Sequence, residues 1–119
     1  MPPDTPLAGS PPGGLSVSKG ESLMAAYLIA DVEVHNPEGY REYQTQVPGT
    51  LAPYGGKFIV RGGRIESLEG HWQPLRVVVI EFPSAEQARA WYDSPGYQAI
   101  VPIRERNART NFVSVVEGI

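Results

Sequence analysis

The stretch LRVVVIEF at residues 75–82, followed directly by Pro83, Ser84 and AEQARAWYD at residues 85–93, sets the fold class. The first segment carries apolar, mostly β-branched side chains on both faces of a strand, the pattern of a strand with neighbours on either side. Ser84 and Gln87 then stand at capping-box spacing, and Ala85, Ala88, Trp91 and Tyr92 recur at helical intervals. A buried strand therefore hands over to an amphipathic helix.

Upstream, KFIVR at residues 57–61 reads as a short strand joined to residues 75–82 through Gly62-Gly63 and a loop containing EGHWQP at 69–74. A helix precedes it. Asn36 caps that helix, Pro37 occupies its first turn, and Tyr40, Tyr43, Val47, Leu51 and Tyr54 follow near helical repeats. Pro48-Gly49 predicts a kink or a split, and Gly55-Gly56 the end. Residues 27–35 alternate, with Leu28, Ala30, Val32 and Val34 on one face and Tyr27, Ile29, Asp31, Glu33 and His35 on the other.

Downstream, Ser94-Pro95 opens a further helical stretch carrying Tyr97, Ile100, Ile103 and Arg104, with Pro102 as an irregularity. Residues 111–117 form the last strand. The order is βαββαβ. With right-handed crossovers it gives an α+β domain over residues 24–119: a four-stranded antiparallel sheet with its helices on one face. Because the remaining sheet face is also apolar and aromatic, the chain is expected to form a homodimer through it.

Residues 1–23, MPPDTPLAGSPPGGLSVSKGESL, are dominated by Pro, Gly and Ser and offer little apolar area to offset the entropy of ordering. A flexible leader is expected there, with Met24 standing directly ahead of the strand pattern. The leader lacks the basic start and apolar centre of a signal peptide, and no apolar run approaches bilayer-spanning length. A cytoplasmic location without a membrane partner follows as the expectation.

The net charge of −3 with scattered basic residues argues against a nucleic-acid partner. With no cysteine, two histidines and no HExxH spacing, neither a metal site nor a cofactor is expected. The glycine pairs at 55/56 and 62/63 do not open a helix in a phosphate-loop pattern.

Arg61-Gly62-Gly63, Leu68-Glu69-Gly70, Trp72, Glu81-Phe82-Pro83, Ala88 with Trp91-Tyr92, Ser94-Pro95, Tyr97-Gln98 and Arg104 together resemble the uncharacterised family DUF1330. The similarity spans nearly all of the domain and none of the leader. It implies a ferredoxin-like protomer of the dimeric α/β-barrel group, in which two sheets pack face to face around a cavity. Related barrels include isomerases, cofactor-independent oxygenases and haem proteins, but the family brings no activity of its own, and a shared fold does not transfer one.

Several residue sets could carry chemistry. Asp31 shares a strand face with Glu33 and His35; buried in a cavity it would make a general base, and at a rim it would meet solvent or an arginine. Glu69 is the second acid–base candidate. Arg61, Arg76, Glu69 and Glu81 either pair among themselves, the commoner fate of such residues, or leave guanidinium forks for a ligand carboxylate. His71 and Trp72 could stack on a ligand or pack their loop down. Tyr40, Tyr43, Trp91, Tyr92 and Tyr97 could form an aromatic cage, although their spacing is also what core packing requires.

Ligand contacts are thus expected from Arg61, Arg76, His71, Trp72, Tyr97 and Arg104. The resulting expectation is a cavity for a small aromatic or acidic molecule with cofactor-free acid–base chemistry by Asp31 or Glu69. The alternative is a non-catalytic dimeric binding or stress-related module.

Overall fold

The computed structural model describes residues 24–119, so the expected leader lies outside the described residues. Strand β1 (Ala26–Val34) is followed by helix α1 (Pro37–Leu51), a 3-10 turn (Ala52–Tyr54), β2 (Lys57–Arg61), β3 (Val77–Phe82), α2 (Ala85–Asp93), α3 (Pro95–Gln98), α4 (Val101–Asn107) and β4 (Ala108–Glu117). The strands pair in the order β2-β3-β1-β4, and every pairing is antiparallel. The interior position read for residues 75–82 from their two apolar faces is therefore correct.

Alternation in β1 divides the molecule. Leu28, Ala30 and Val32 join Val78, Ile80 and Phe82 of β3 against Tyr40, Tyr43, Val47 and Leu51 of α1 and Ala88 and Trp91 of α2. All the helices lie on this side. The register places Tyr27, Ile29 and Asp31 opposite Glu81, Val79 and Val77 of β3 and opposite Val116, Ser114 and Phe112 of β4. Paired residues share a face, so Ile29, Val77, Val79, Phe112 and Val116 lie on the other side of the sheet, interspersed with Tyr27, Asp31, Glu81 and Ser114.

Two of three local readings change. Pro48 does not split α1, which runs unbroken to Leu51. A proline at 48 removes the N–H that would bond the carbonyl of Gln44, and here the Arg61 guanidinium donates to that carbonyl at 2.7 Å instead. Pro102 is the irregularity expected of it: the helical stretch breaks at Ala99–Ile100 into α3 and α4, and Pro102 sits in the first turn of α4, where a missing N–H costs nothing. The capping box of α2 is half formed: Ser84 Oγ accepts from the Gln87 N–H at 3.2 Å, while the Gln87 side chain donates to the Tyr54 carbonyl at 2.9 Å.

The last strand begins at Ala108 rather than 111, because Ala108, Arg109 and Thr110 pair with Val34, Glu33 and Val32. Asn111 is the extra residue at which the register with β1 shifts, a β-bulge. Asn107, just ahead of β4, anchors the start of α1. Its carbonyl accepts from the N–H groups of His35 and Asn36, both at 3.1 Å, and its side-chain oxygen accepts from Asn36 Nδ2 at 2.9 Å.

Ser94 joins α2 to α3. Its Oγ donates to the Trp91 carbonyl at 2.7 Å and accepts from the Tyr97 N–H at 3.2 Å, closing one helix and opening the next in a buried position. Ser94→Ala removes both bonds and is expected to lower stability by about 1–2 kcal/mol, measured by urea denaturation.

Candidate functional site

Between the helices and the sheet lies a cavity of about 40 Å³. Its floor is Leu28, Ala30, Val32, Val78 and Ile80, and its walls include Tyr40, Tyr43, Trp91 and Tyr97. That volume accommodates a few water molecules or a head group of carboxylate size. Exposed Arg61 and half-buried Gln44 mark where the lining meets solvent.

Three guanidiniums reach this cavity from three elements. Arg104 comes from α4, is 5% exposed, and donates through one terminal nitrogen to Thr110 Oγ1 at 3.2 Å. Arg76 comes from the residue preceding β3 by one position and lies 5.7 Å from the Tyr40 ring centroid. Gly62 makes room for it: its φ of 71° is left-handed, and a Cβ there would collide with the Arg76 guanidinium. Arg61, at the end of β2, rests 4.2 Å over the Phe58 ring while it caps Gln44.

The expected ion pairs with Glu69 and Glu81 do not form. Glu81 is taken by Lys57 at 3.4 Å and by the Tyr27 hydroxyl at 3.4 Å, and Glu69 is exposed on the loop. Among the described residues the ion pairs are Lys57–Glu81 and Arg89–Asp93, neither of which involves a pocket arginine. The buried Nε atoms of Arg76 and Arg104 have no hydrogen-bond partner. Leaving a buried guanidinium N–H unsatisfied is costly, and both arginines belong to the cavity lining.

Tyr43 and Tyr97 share a hydroxyl–hydroxyl bond of 2.7 Å, and Tyr97 stacks 4.0 Å from Trp91. Burial pushes both phenols above their ordinary value, and the Tyr97 phenol adds to the effect on Tyr43. The Arg104 charge opposes the shift at both. The aromatic residues thus serve as core and as pocket wall at once, which sequence spacing could not distinguish.

The remaining candidates lie across the sheet. Asp31 is 1% exposed, and its Oδ2 accepts from Trp72 Nε1 at 2.9 Å and from Asn111 Nδ2 at 3.3 Å. Glu33, His71, Gln73 and Phe112 complete this second group. The six expected ligand-contact residues therefore divide, with Arg61, Arg76, Tyr97 and Arg104 on the helix side and His71 and Trp72 on the open face. Asp31 lies with the latter two, and Glu69 in neither group. Tyr40 and Tyr43 belong with the arginines; their helical spacing was the available signal.

The chain belongs to the family described as a domain of unknown function, DUF1330, whose model matches residues 25–119. No curated protein matches it. Among solved structures it is similar to RPA0582, a protein of unknown function from Rhodopseudomonas palustris, with a TM-score of 0.63 and 17% identity over 82% of this chain and 83% of that one. It is also similar to SnoaB, a cofactor-independent oxygenase from Streptomyces nogalater, with a TM-score of 0.53 and 12% identity over 77% of this chain and 90% of that one. A dimeric ferredoxin-like protein of unknown function from Thermobifida fusca aligns with a TM-score of 0.52 and 18% identity over 85% of this chain and all of that one (100%). These likenesses establish the ferredoxin-like fold. No helix among the described residues is long and apolar enough to cross a membrane.

A phenol whose pKa is raised by folding keeps its proton in the native state after the unfolded chain has lost it. Its contribution to stability is whole below the ordinary tyrosine value of about 10 and declines as pH rises above it. Urea titrations between pH about 9 and 11 should show a shallower alkaline loss of stability in Tyr43→Phe than in the unsubstituted protein.

Proposed function

We propose that the helix-side pocket binds a small organic acid by its carboxylate or enolate oxygen. The observation that carries this reading is the convergence of Arg76 and Arg104, each with a buried Nε that has no acceptor, on one cavity that their chain supplies with no carboxylate partner among the described residues. Guanidinium donors bind carboxylates through charge-assisted bonds, and a cavity of about 40 Å³ admits the charged head while the body of the acid lies toward the opening at Arg61 and Gln44. Tyr43 and Tyr97, kept protonated by burial and bonded to each other, leave one hydroxyl proton to donate.

This set of groups suits an anion that already exists or forms during a reaction. The lining contains arginines and phenols but no carboxylate or histidine, so it stabilises a developing oxyanion and supplies no carboxylate base to generate one. Binding is accordingly the primary role, and cofactor-free chemistry through a stabilised substrate anion is the reaction class these residues serve. Asp31, the acid–base candidate of β1, faces the other way across the sheet.

Calorimetric titration with benzoate and other aromatic acids, against the matching amides, tests this. Benzoate should bind and its amide should not, and Arg104→Gln should weaken binding by about ten- to a hundredfold, the loss of one charge-assisted bond. Equal binding of acid and amide would remove the anion reading.

The open sheet face supports a second part of the proposal, a homodimer. Ile29, Val77, Val79, Phe112 and Val116 lie on this face, no helix among the described residues covers it, and Phe112 and Val116 are exposed. One of the ferredoxin-like structures it resembles is itself dimeric. Light scattering on the eluting protein should give twice the protomer mass of 13.0 kDa at micromolar concentration, and Val116→Lys should shift it to the protomer mass.

A further inference from the structure

On the open face of the sheet, Asp31, Glu33, His71, Trp72, Gln73, Asn111 and Phe112 surround a depression of about 540 Å³. We infer that this depression is a second binding site, for an organic cation carrying an ammonium group. It is distinct from the anion pocket, since the sheet separates them; one copy of the chain supplies all its groups, and it lies on the sheet face of the proposed dimer, with which it shares Phe112.

Its chemistry starts with Asp31. A carboxylate that is 1% exposed would ordinarily be matched by a cation or by bonds to both oxygens. Here both donors, Trp72 Nε1 and Asn111 Nδ2, address Oδ2, while Oδ1 is buried with no partner. The amide of Asn111 also reaches Glu33 Oε2 at 3.0 Å, tying the two acids into one group. No lysine, arginine or histidine forms an ion pair with either acid among the described residues. Lys57 is held by Glu81, and Arg109, opposite Glu33 in the register, makes no such contact.

The walls of the depression are what an ammonium ion selects. Trp72 and Phe112 lie with ring centroids 6.0 Å apart and planes tilted by 40°, and Trp72 is 55% exposed. Ring faces attract cations, tryptophan most strongly, and the attraction grows beside a desolvated carboxylate. Metal ions fit less well, as the described residues include no group of three potential ligands. A cation resting on the Trp72 face beside Glu33, with the charge of Asp31 beneath it, uses both acids and the exposed ring.

Three probes of one shape test the inference on the full chain: benzylamine, benzyl alcohol and benzoate, followed by calorimetry and tryptophan fluorescence. Benzylamine should bind saturably and change the fluorescence, and benzyl alcohol should not. Asp31→Asn should weaken benzylamine at least about tenfold, the equivalent of about 1.4 kcal/mol. Trp72→Phe should abolish the fluorescence change, and Arg104→Gln should leave benzylamine binding as it was. Glu33→Gln, at a half-buried position, gives an independent reading and should weaken benzylamine severalfold.

Absence of saturable benzylamine binding overturns the inference, as does equal binding of the alcohol or indifference to both acid substitutions. So does a change of oligomeric mass in Asp31→Asn without benzylamine binding, which would give the missing cation to a second copy. Benzoate, read in the same experiment, reports on the anion pocket alone, so the two sites can fail separately.

Discussion

The period-two alternation of β1 is the constraint on which the rest of the structure depends. This strand pairs on both edges, with β3 and with β4, so its side chains cannot rotate away from the faces assigned to them. Leu28, Ala30 and Val32 are committed to the helix layer and form the floor of the arginine pocket. Asp31, between the latter two, is committed to the opposite face. One strand therefore separates a cavity lined by cations from a depression lined by acids, and no rearrangement of loops alone could merge them.

The bulge at Asn111 and the loop between β2 and β3 finish what that alternation begins. The extra residue lets β4 pair with β1 on both sides of position 111, and it points its amide at Asp31 and Glu33. The loop then folds back so that Trp72 bonds Asp31 from above. On the helix side, Gly62 admits Arg76 at the other end of the same loop. The β2–β3 connection thus contributes Arg76 to one face and His71, Trp72 and Gln73 to the other, which is how a 15-residue segment without regular structure of its own becomes the organiser of both sites.

The fold was legible because it is written in local patterns. Strand alternation, the Asn36 and Ser84 caps and the glycine turns each act over a few residues, and their order leaves little freedom in topology. The candidate site was only half legible. Arg61, Arg76, Tyr97 and Arg104 could be named from residue type, but their meeting with Tyr40 and Tyr43 depends on how five segments pack. The choice between arginines paired with glutamates and arginines left open could not be read at all, since Lys57 captures Glu81 through strand register and not through sequence proximity. The grouping of His71 and Trp72 with Asp31 was hidden for the same reason: a long loop can fold over either face, and only a tertiary hydrogen bond selects one.

Pro48 and Arg61 show how closely the helix backbone and the pocket are joined. The proline leaves the carbonyl of Gln44 without its helical donor, and the arginine that supplies one stands at the cavity rim. An anion that draws Arg61 inward competes with a backbone carbonyl for the same nitrogen. Positions 48 and 61 are consequently coupled through that carbonyl. A chain that exchanged Pro48 for a residue bearing an N–H would restore the helix bond, release the guanidinium, and present the pocket with a more mobile cation without altering any residue that lines it.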